Sequence, residues 1–177
     1  MFYFVRHGKT DYSQKNTMFY QGWGTQLAPL SETGVAQIER TAQDERLRGA
    51  ELILSSPYTR AVHTAAILSR ALGAPIAIET DLHEWAANKA FVYEADEKAE
   101  NCYNEYVACG GVYPAGEERC WEDAAAMRAR VRSVLEKYRH YGKVIVACHG
   151  MMIQATTGKP DDGRKWPDNG EIIEFEL

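Results

Sequence analysis

Hydrophobic and polar residues are arranged along the chain in a pattern that predicts strands and helices in turn. Short apolar runs predict a buried strand at Phe2–Val5 and further strands at Glu51–Leu54, Pro75–Ile78 and Lys143–Cys148. Apolar residues at helical spacing predict a helix capped by Ser31, one capped by Ser56-Pro57 and ended by Gly73, one over Trp121–Tyr141 and one from Met151. Asn169-Gly170 predicts a turn into a last strand, Glu171–Glu176, whose alternation is typical of a sheet edge.

This alternation indicates the α/β class, with a largely parallel sheet covered by helices on both faces. A length of 177 residues suits one domain, residues 1–177, which can bury a core without disulfides or a structural metal. Between Asp81 and Arg119 the periodicity loosens and aromatic residues mix with acidic ones. We expect residues 81–120 to form an insert over the sheet, called the lid below.

The charge of the chain is concentrated in that lid. The formal net charge is −5, and the segment from Asp81 to Arg119 holds nine acidic and three basic residues. Such a balance argues against a nucleic-acid partner, because phosphate backbones need a basic face. The four cysteines lack CxxC spacing, Met1–Val5 is too short for a signal peptide, and no apolar run reaches 18 residues. We therefore expect a cytoplasmic protein with free thiols and no membrane partner.

Polar residues follow the predicted strands at the points where the strands end. Arg6-His7-Gly8 and His149-Gly150 each come directly after a strand, Arg60 lies in the first turn of a helix, and Glu84 follows the third strand. Parallel sheets bind ligands beyond the carboxyl ends of their strands. The topology therefore predicts that these side chains meet at one edge of the sheet.

Such a group of side chains suits phosphoryl transfer. Two guanidinium groups and a helix N-terminus attract a phosphate, and a neutral histidine can attack phosphorus. Glu84 can pass its proton to a leaving alcohol, and a glycine after each histidine lets backbone and ligand approach closely. Singly, each residue has an ordinary structural explanation, such as a solvated charge or a hydrogen-bonded core histidine. Their convergence on one edge favours the catalytic interpretation.

These residues also carry a resemblance to a known family. The segment FYFVRHGKT (residues 2–10) resembles the signature of the histidine phosphatase superfamily, the phosphoglycerate mutase-like proteins. Further similar segments follow in the family's order: Gln21-Gly22, Pro29–Gly34 (PLSETG), Ser55–Thr64 (SSPYTRAVHT), Leu82–Trp85 (LHEW) and Cys148–Gly150 (CHG). Only residues 86–119 have no clear counterpart.

The resemblance implies a three-layer α/β/α fold with a mainly parallel mixed sheet, and a reaction through phosphohistidine without metal or other cofactor. His7 would be the nucleophile, and Arg6, Arg60 and His149 would hold the phosphoryl group. Glu84 stands where the family places its proton donor, which later activates water. The resemblance adds further phosphate-binding positions at Thr10, Ser13, Gln21, Gly22 and Gly150.

Two departures from the family pattern concern the loop after the first strand. Many members have Asn where this chain has Ser13, so Ser13 or the nearby Asn16 would take that role. Residues 23–28 also form a longer connection than is usual, which affects substrate identity. Thr10 stands where the mutases usually have Ser, and the chain is shorter than theirs. These features favour a phosphatase acting on a small monoester over a phosphoglycerate mutase-type transferase.

Other functions stay open at this point. A metallohydrolase would use His7, His149, Glu84 and Asp11, although no HxH or HExxH spacing supports it. A cysteine phosphatase based on Cys148 lacks an arginine six residues on, where Gln154 stands. A non-catalytic phosphate-binding protein and a homo-oligomer are both compatible with the sequence. The acidic lid leads us to expect a monoester with a neutral or apolar leaving group rather than a bisphosphate.

Overall fold

The structure, a computed structural model, describes residues 1–15, 24–92 and 94–177 of the chain. Within these residues a single sheet contains β1 (Phe2–Arg6), β2 (Leu52–Ser55), β3 (Ile76–Ile78), β4 (Val144–Cys148) and β5 (Ile172–Phe175). The helices are α1 (Gly24–Leu27), α2 (Glu32–Thr41), α3 (Thr59–Leu72), α4 (Asp96–Ala108), α5 (Ala124–Lys137) and α6 (Gly150–Thr157).

The sheet is mainly parallel, as the sequence predicts. Its strand order is β3-β2-β4-β1-β5. The first four pair in parallel, and β5 runs antiparallel to β1 at the edge. The parallel strands therefore direct their carboxyl ends to the same side of the molecule, where a ligand site is expected.

Each face of the sheet buries its own hydrophobic core. Side chains alternate along a strand, so the neighbours Ile53 and Leu54 of β2 belong to opposite cores. One core joins the sheet to α5 and α6, and the other joins it to α2 and α3. The expected three-layer α/β/α arrangement is confirmed.

Three local predictions are wrong. The first concerns α1, which lies within a predicted loop, and the second concerns α4, which lies within the irregular lid. The third is the cap of α3: this helix begins at Thr59 with Tyr58 as its N-cap, and the Ser56 hydroxyl bonds His149 instead. An expected helix cap is thus part of the polar edge.

In the described part of the chain the cysteines are free, with the sulfur atoms of Cys102 and Cys120 3.7 Å apart. None of the described helices is long and apolar enough to cross a membrane.

Candidate active site

The site begins with two histidines that leave neighbouring strands side by side. β1 and β4 pair with Arg6 opposite Cys148, so His7 and His149 follow at the same level. The backbone N–H of His7 still donates to the Cys148 carbonyl at 2.9 Å, which continues the ladder past the strand ends. Their ring centroids lie 5.2 Å apart. Strand register alone therefore places the two imidazoles together.

The hydrogen bonds of His7 fix its tautomer. Its Nδ1 lies 2.8 Å from the Gly8 carbonyl, which can only accept, so Nδ1 carries the proton. Nε2 then accepts a hydrogen bond from Arg60 Nε at 3.2 Å. The Asn169 side chain donates to the His7 carbonyl at 2.7 Å and fixes the backbone. The lone pair of Nε2 thus faces the guanidinium of Arg60.

Both imidazoles are neutral near pH 7. Burial lowers the pKa of His7 to about 3, and the positive charges of Arg60 and Arg6 act in the same direction. Complete burial, with Arg60 and His7 nearby, also holds the pKa of His149 well below its usual range. A neutral ring keeps its lone pair for nucleophilic attack.

Arg60 is held rigidly although it is charged and only 4% exposed. One of its terminal nitrogens, Nη1, donates to the Thr25 carbonyl of α1 at 2.8 Å. The guanidinium also lies 5.0 Å from the ring centroid of Tyr58. Helix α1, which the sequence pattern did not reveal, therefore supports one wall of the site.

Arg6 and His149 each keep one polar atom free for a ligand. Arg6 Nη1 donates to the Pro167 carbonyl at 2.6 Å, and its guanidinium lies over the Trp166 ring. His149 Nε2 lies 2.7 Å from the Ser56 hydroxyl. Arg6 Nε and His149 Nδ1 are buried and have no hydrogen-bond partner among the described residues. A bound phosphate can satisfy such groups.

Glu84 lies at the N-terminus of α6, beside Arg6. Its Oε1 accepts from the backbone N–H groups of Trp85 (2.9 Å) and Met152 (3.2 Å), and Oε2 accepts from Met151 (3.3 Å). Arg6 and Glu84 line one cavity of about 230 Å³. The carboxyl group therefore reaches the same cavity as the Arg6 side chain.

Each glycine that follows a histidine lies close to other protein groups. A Cβ on Gly8 would lie 2.4 Å from the Gly34 carbonyl, so Gly8 allows α2 to approach the first loop. A Cβ on Gly150 would lie 3.0 Å from Trp166 and 3.3 Å from Arg6 Nε. Close approach of protein groups is thus sufficient reason for a glycine at both positions.

Some predicted ligands lie elsewhere or outside the described residues. Gln21, Gly22 and Asn16 fall in the undescribed segment 16–23. Ser13 is exposed and its backbone N–H donates to Asp11. Thr10 Oγ1 lies 3.5 Å from His7 Nδ1, at the border of the site.

Sequence reasoning missed four contributors to the site: Ser56, Tyr58, Trp166 and Asn169. Ser56 and Tyr58 lie within four residues of the predicted site residue Arg60 in the sequence, and this closeness could have identified them as site residues. Trp166 and Asn169 reach the site through the irregular chain after α6. No periodic pattern marks that segment.

Of the two alternative chemistries, the cysteine phosphatase is contradicted by the surroundings of Cys148, and the metallohydrolase finds no support among the described residues. Cys148 is fully buried, burial raises the pKa of its thiol well above the usual value, and its Sγ donates to the Val146 carbonyl. A thiolate nucleophile is therefore disfavoured. Among residues 1–15, 24–92 and 94–177, no three His, Cys, Asp or Glu side chains lie together in a metal-binding arrangement.

The chain is similar to known proteins over most of its length. A profile of the histidine phosphatase superfamily (branch 1) matches residues 2–161. A relative in Hydrogenobacter thermophilus with the name "Putative phosphoserine phosphatase 2" is 27% identical over 161 residues, covering 86% of this chain and 74% of that protein.

Solved structures share the fold. Mycobacterial hydrolase 1 is 21% identical, with a TM-score of 0.67 over 97% of this chain and 86% of its own. Mycobacterial glucosyl-3-phosphoglycerate phosphatase is 24% identical, with a TM-score of 0.61 over 89% of this chain and 77% of its own. Because the family profile spans nearly all of its 177 residues, the chain belongs to the histidine phosphatase superfamily, branch 1.

Proposed function

We propose that the protein is a phosphatase that hydrolyses a small phosphate monoester through a phosphohistidine on His7, without a metal ion. One observation carries the proposal: a neutral His7 presents Nε2 to Arg60 within a buried cationic pocket. The phosphatase names of the relatives support the reaction class.

The first step transfers the phosphoryl group to the enzyme. The Nε2 lone pair of His7 attacks phosphorus, an N–P bond forms and the P–O bond to the leaving group breaks. Arg60 and Arg6 stabilise the charge on the phosphoryl oxygens. The leaving oxygen takes its proton from Glu84. His7 Nδ1 keeps its own proton, which stays hydrogen-bonded to the Gly8 carbonyl.

The second step releases phosphate. Glu84, now a carboxylate, takes a proton from a water molecule whose oxygen attacks phosphorus. The N–P bond breaks, its electron pair returns to Nε2, and inorganic phosphate leaves. His7 and Glu84 return to their starting protonation states, so one water molecule is consumed in each cycle.

The test is p-nitrophenyl phosphate hydrolysis by the wild type, by His7→Ala and by His140→Ala, which removes an exposed histidine as the matched control. We expect turnover in the wild type and the control, and a fall in kcat on the order of 10⁴-fold or more in His7→Ala. Wild-type protein that binds phosphate without turning over any ester would indicate a binding protein and would overturn the proposal.

Vanadate is expected to inhibit, because it adopts the five-coordinate geometry of the reaction at phosphorus. The mycobacterial glucosyl-3-phosphoglycerate phosphatase has been solved with VO3. Competitive inhibition of the wild type, together with calorimetric vanadate binding that is lost in His7→Ala, supports attack at Nε2, and equal vanadate affinity in both proteins contradicts it.

A further inference from the structure

A second cavity lies beside the one lined by Arg6 and Glu84. Its volume is about 510 Å³, and it lies between α4, the start of α5, the far half of α6 and the loop at Lys165-Trp166. It shares Tyr103, Met151 and Trp166 with the smaller cavity that holds Arg6 and Glu84. The two cavities are therefore adjacent across these shared side chains, and a leaving group held near Arg6 lies next to the larger one.

The shared walls suit a flat or apolar body. The rings of Tyr103 and Trp166 lie 6.0 Å apart, and Tyr106 and Met151 line the next part of the cavity. The volume falls within the range of about 300–1,000 Å³ that is usual for small-molecule pockets. A group of ring size can therefore lie against these side chains.

The charged residues that line this larger cavity are basic. Lys165 lies with its Nζ 3.4 Å from the Tyr103 hydroxyl and 5.5 Å from the Tyr103 ring centroid. Arg128 lines the opposite part, where its Nε donates to the Ala155 carbonyl at 2.8 Å. The cavity wall therefore attracts negative charge.

Four acidic residues of the lid form ion pairs outside this cavity. Ion pairs join Glu118 to Lys89, Glu105 to Arg119, Glu94 to Lys98 and Asp96 to Lys15. None of these carboxylates lines the cavity. The expectation that the acidic lid selects a neutral leaving group is therefore not supported by the charges that surround the cavity.

We propose that this cavity binds the leaving group of the ester, and that Lys165 and Arg128 select a flat or apolar group bearing a negative charge such as a carboxylate. The inference rests on the proposed phosphatase function, because it assigns a binding site to the leaving group of that reaction. Both cations are exposed, so the selection is sensitive to salt.

The test compares kcat/KM for phenyl phosphate with kcat/KM for aryl phosphates that carry a para carboxylate directly or on a one- or two-carbon arm. We expect at least one carboxylated ester to be preferred about fivefold at low salt, with the preference falling as salt is added. Lys165→Met should remove most of this preference and Lys165→Arg should retain it. Comparing preference ratios between variants cancels the intrinsic reactivity of each ester.

The matched control is Lys159→Met, which removes an exposed lysine that pairs with Asp161 and does not line the cavity. It should leave the preference unchanged. A preference that is absent from the wild type, or that survives in Lys165→Met, overturns the inference.

Calorimetry measures the affinity of the protein for benzylphosphonate and for its 4-carboxy derivative. This measurement tests the inference separately from the proposed function. Stronger binding of the carboxy compound, lost in Lys165→Met, supports the cavity assignment even if no ester is turned over. Turnover of phenyl phosphate with equal binding of both phosphonates rejects only the cavity assignment. Absence of both turnover and binding preference rejects both.

Discussion

The sheet edge and the lid hold their charged groups in opposite ways. At the sheet edge His7, Arg60 and His149 are 7%, 4% and 0% exposed, and the pairing of β1 with β4 sets the positions of the two histidines. In the lid, Asp96, Glu117 and Glu118 are exposed and form ion pairs at the surface. The buried edge suits chemistry that needs fixed distances, and the lid, with its aromatic walls, suits the recognition of a variable leaving group.

The largest effect is expected from a change at the buried edge. Arg60→Lys removes the planar guanidinium, which donates to His7 Nε2 and to the Thr25 carbonyl. We therefore expect kcat to fall about 10²–10³-fold. Arg70→Lys, on the exposed side of the same helix, should leave kcat unchanged. Steady-state kinetics with p-nitrophenyl phosphate measure both, and a loss of less than tenfold in Arg60→Lys would contradict a direct role.

The junction between edge and lid depends on a buried ion pair. Arg130 donates to both oxygens of Glu122 (2.6 and 2.9 Å) and to the carbonyls of Asp81 and His83, directly before Glu84. Glu122→Gln leaves this guanidinium without its counter-charge.

We expect Glu122→Gln to lower the free energy of unfolding by about 3 kcal/mol and to lower kcat, since the segment that carries Glu84 loses its anchor. Urea unfolding measures the first effect. Glu118→Gln, which breaks an exposed pair with Lys89, is the control and should leave both quantities near their wild-type values. Equal stability of the two variants would show that the junction is not anchored in this way.

Acid should destabilise the edge through its histidines. The folded-state pKa of His7 is about 3, below the usual value of 6.5. Between these pH values the unfolded chain binds a proton that the folded protein does not, so stability falls as the pH falls from about 6.5 to 3.

His7→Asn removes one such group and should reduce the slope of the unfolding free energy against pH by up to about 1.4 kcal/mol per pH unit in that window. Unfolding curves at pH 4, 5 and 6 provide the measurement. The exposed His140→Asn should keep the wild-type slope. Identical slopes in wild type and His7→Asn would mean that His7 is not buried as a neutral ring.

The smallest effect is expected at the outer face of the lid. Asp96→Asn breaks an exposed pair with Lys15, so the melting temperature should change by less than about 2 °C. A larger shift would show that surface pairs contribute more to lid stability than their exposure indicates.

The sequence predicted the edge better than the lid for a physical reason. Strands such as β4 are buried along their whole length, so their apolar runs stand out, and parallel topology then places His7 and His149 together. Helix α4 buries only Cys102 among its described residues, which leaves almost no hydrophobic periodicity to detect. The contacts of Arg6 with Trp166 and Pro167 depend on an irregular segment after α6, which local pattern does not determine.

Phosphorylation of His7 is tested most directly by a rapid-quench search for a phosphoryl group on this residue during turnover of a labelled monoester. We expect a label that is stable to base and labile to acid, located at His7, present in the wild type and in His140→Ala, and absent from His7→Ala. A label that survives acid, or one retained in His7→Ala, would contradict the phosphohistidine mechanism.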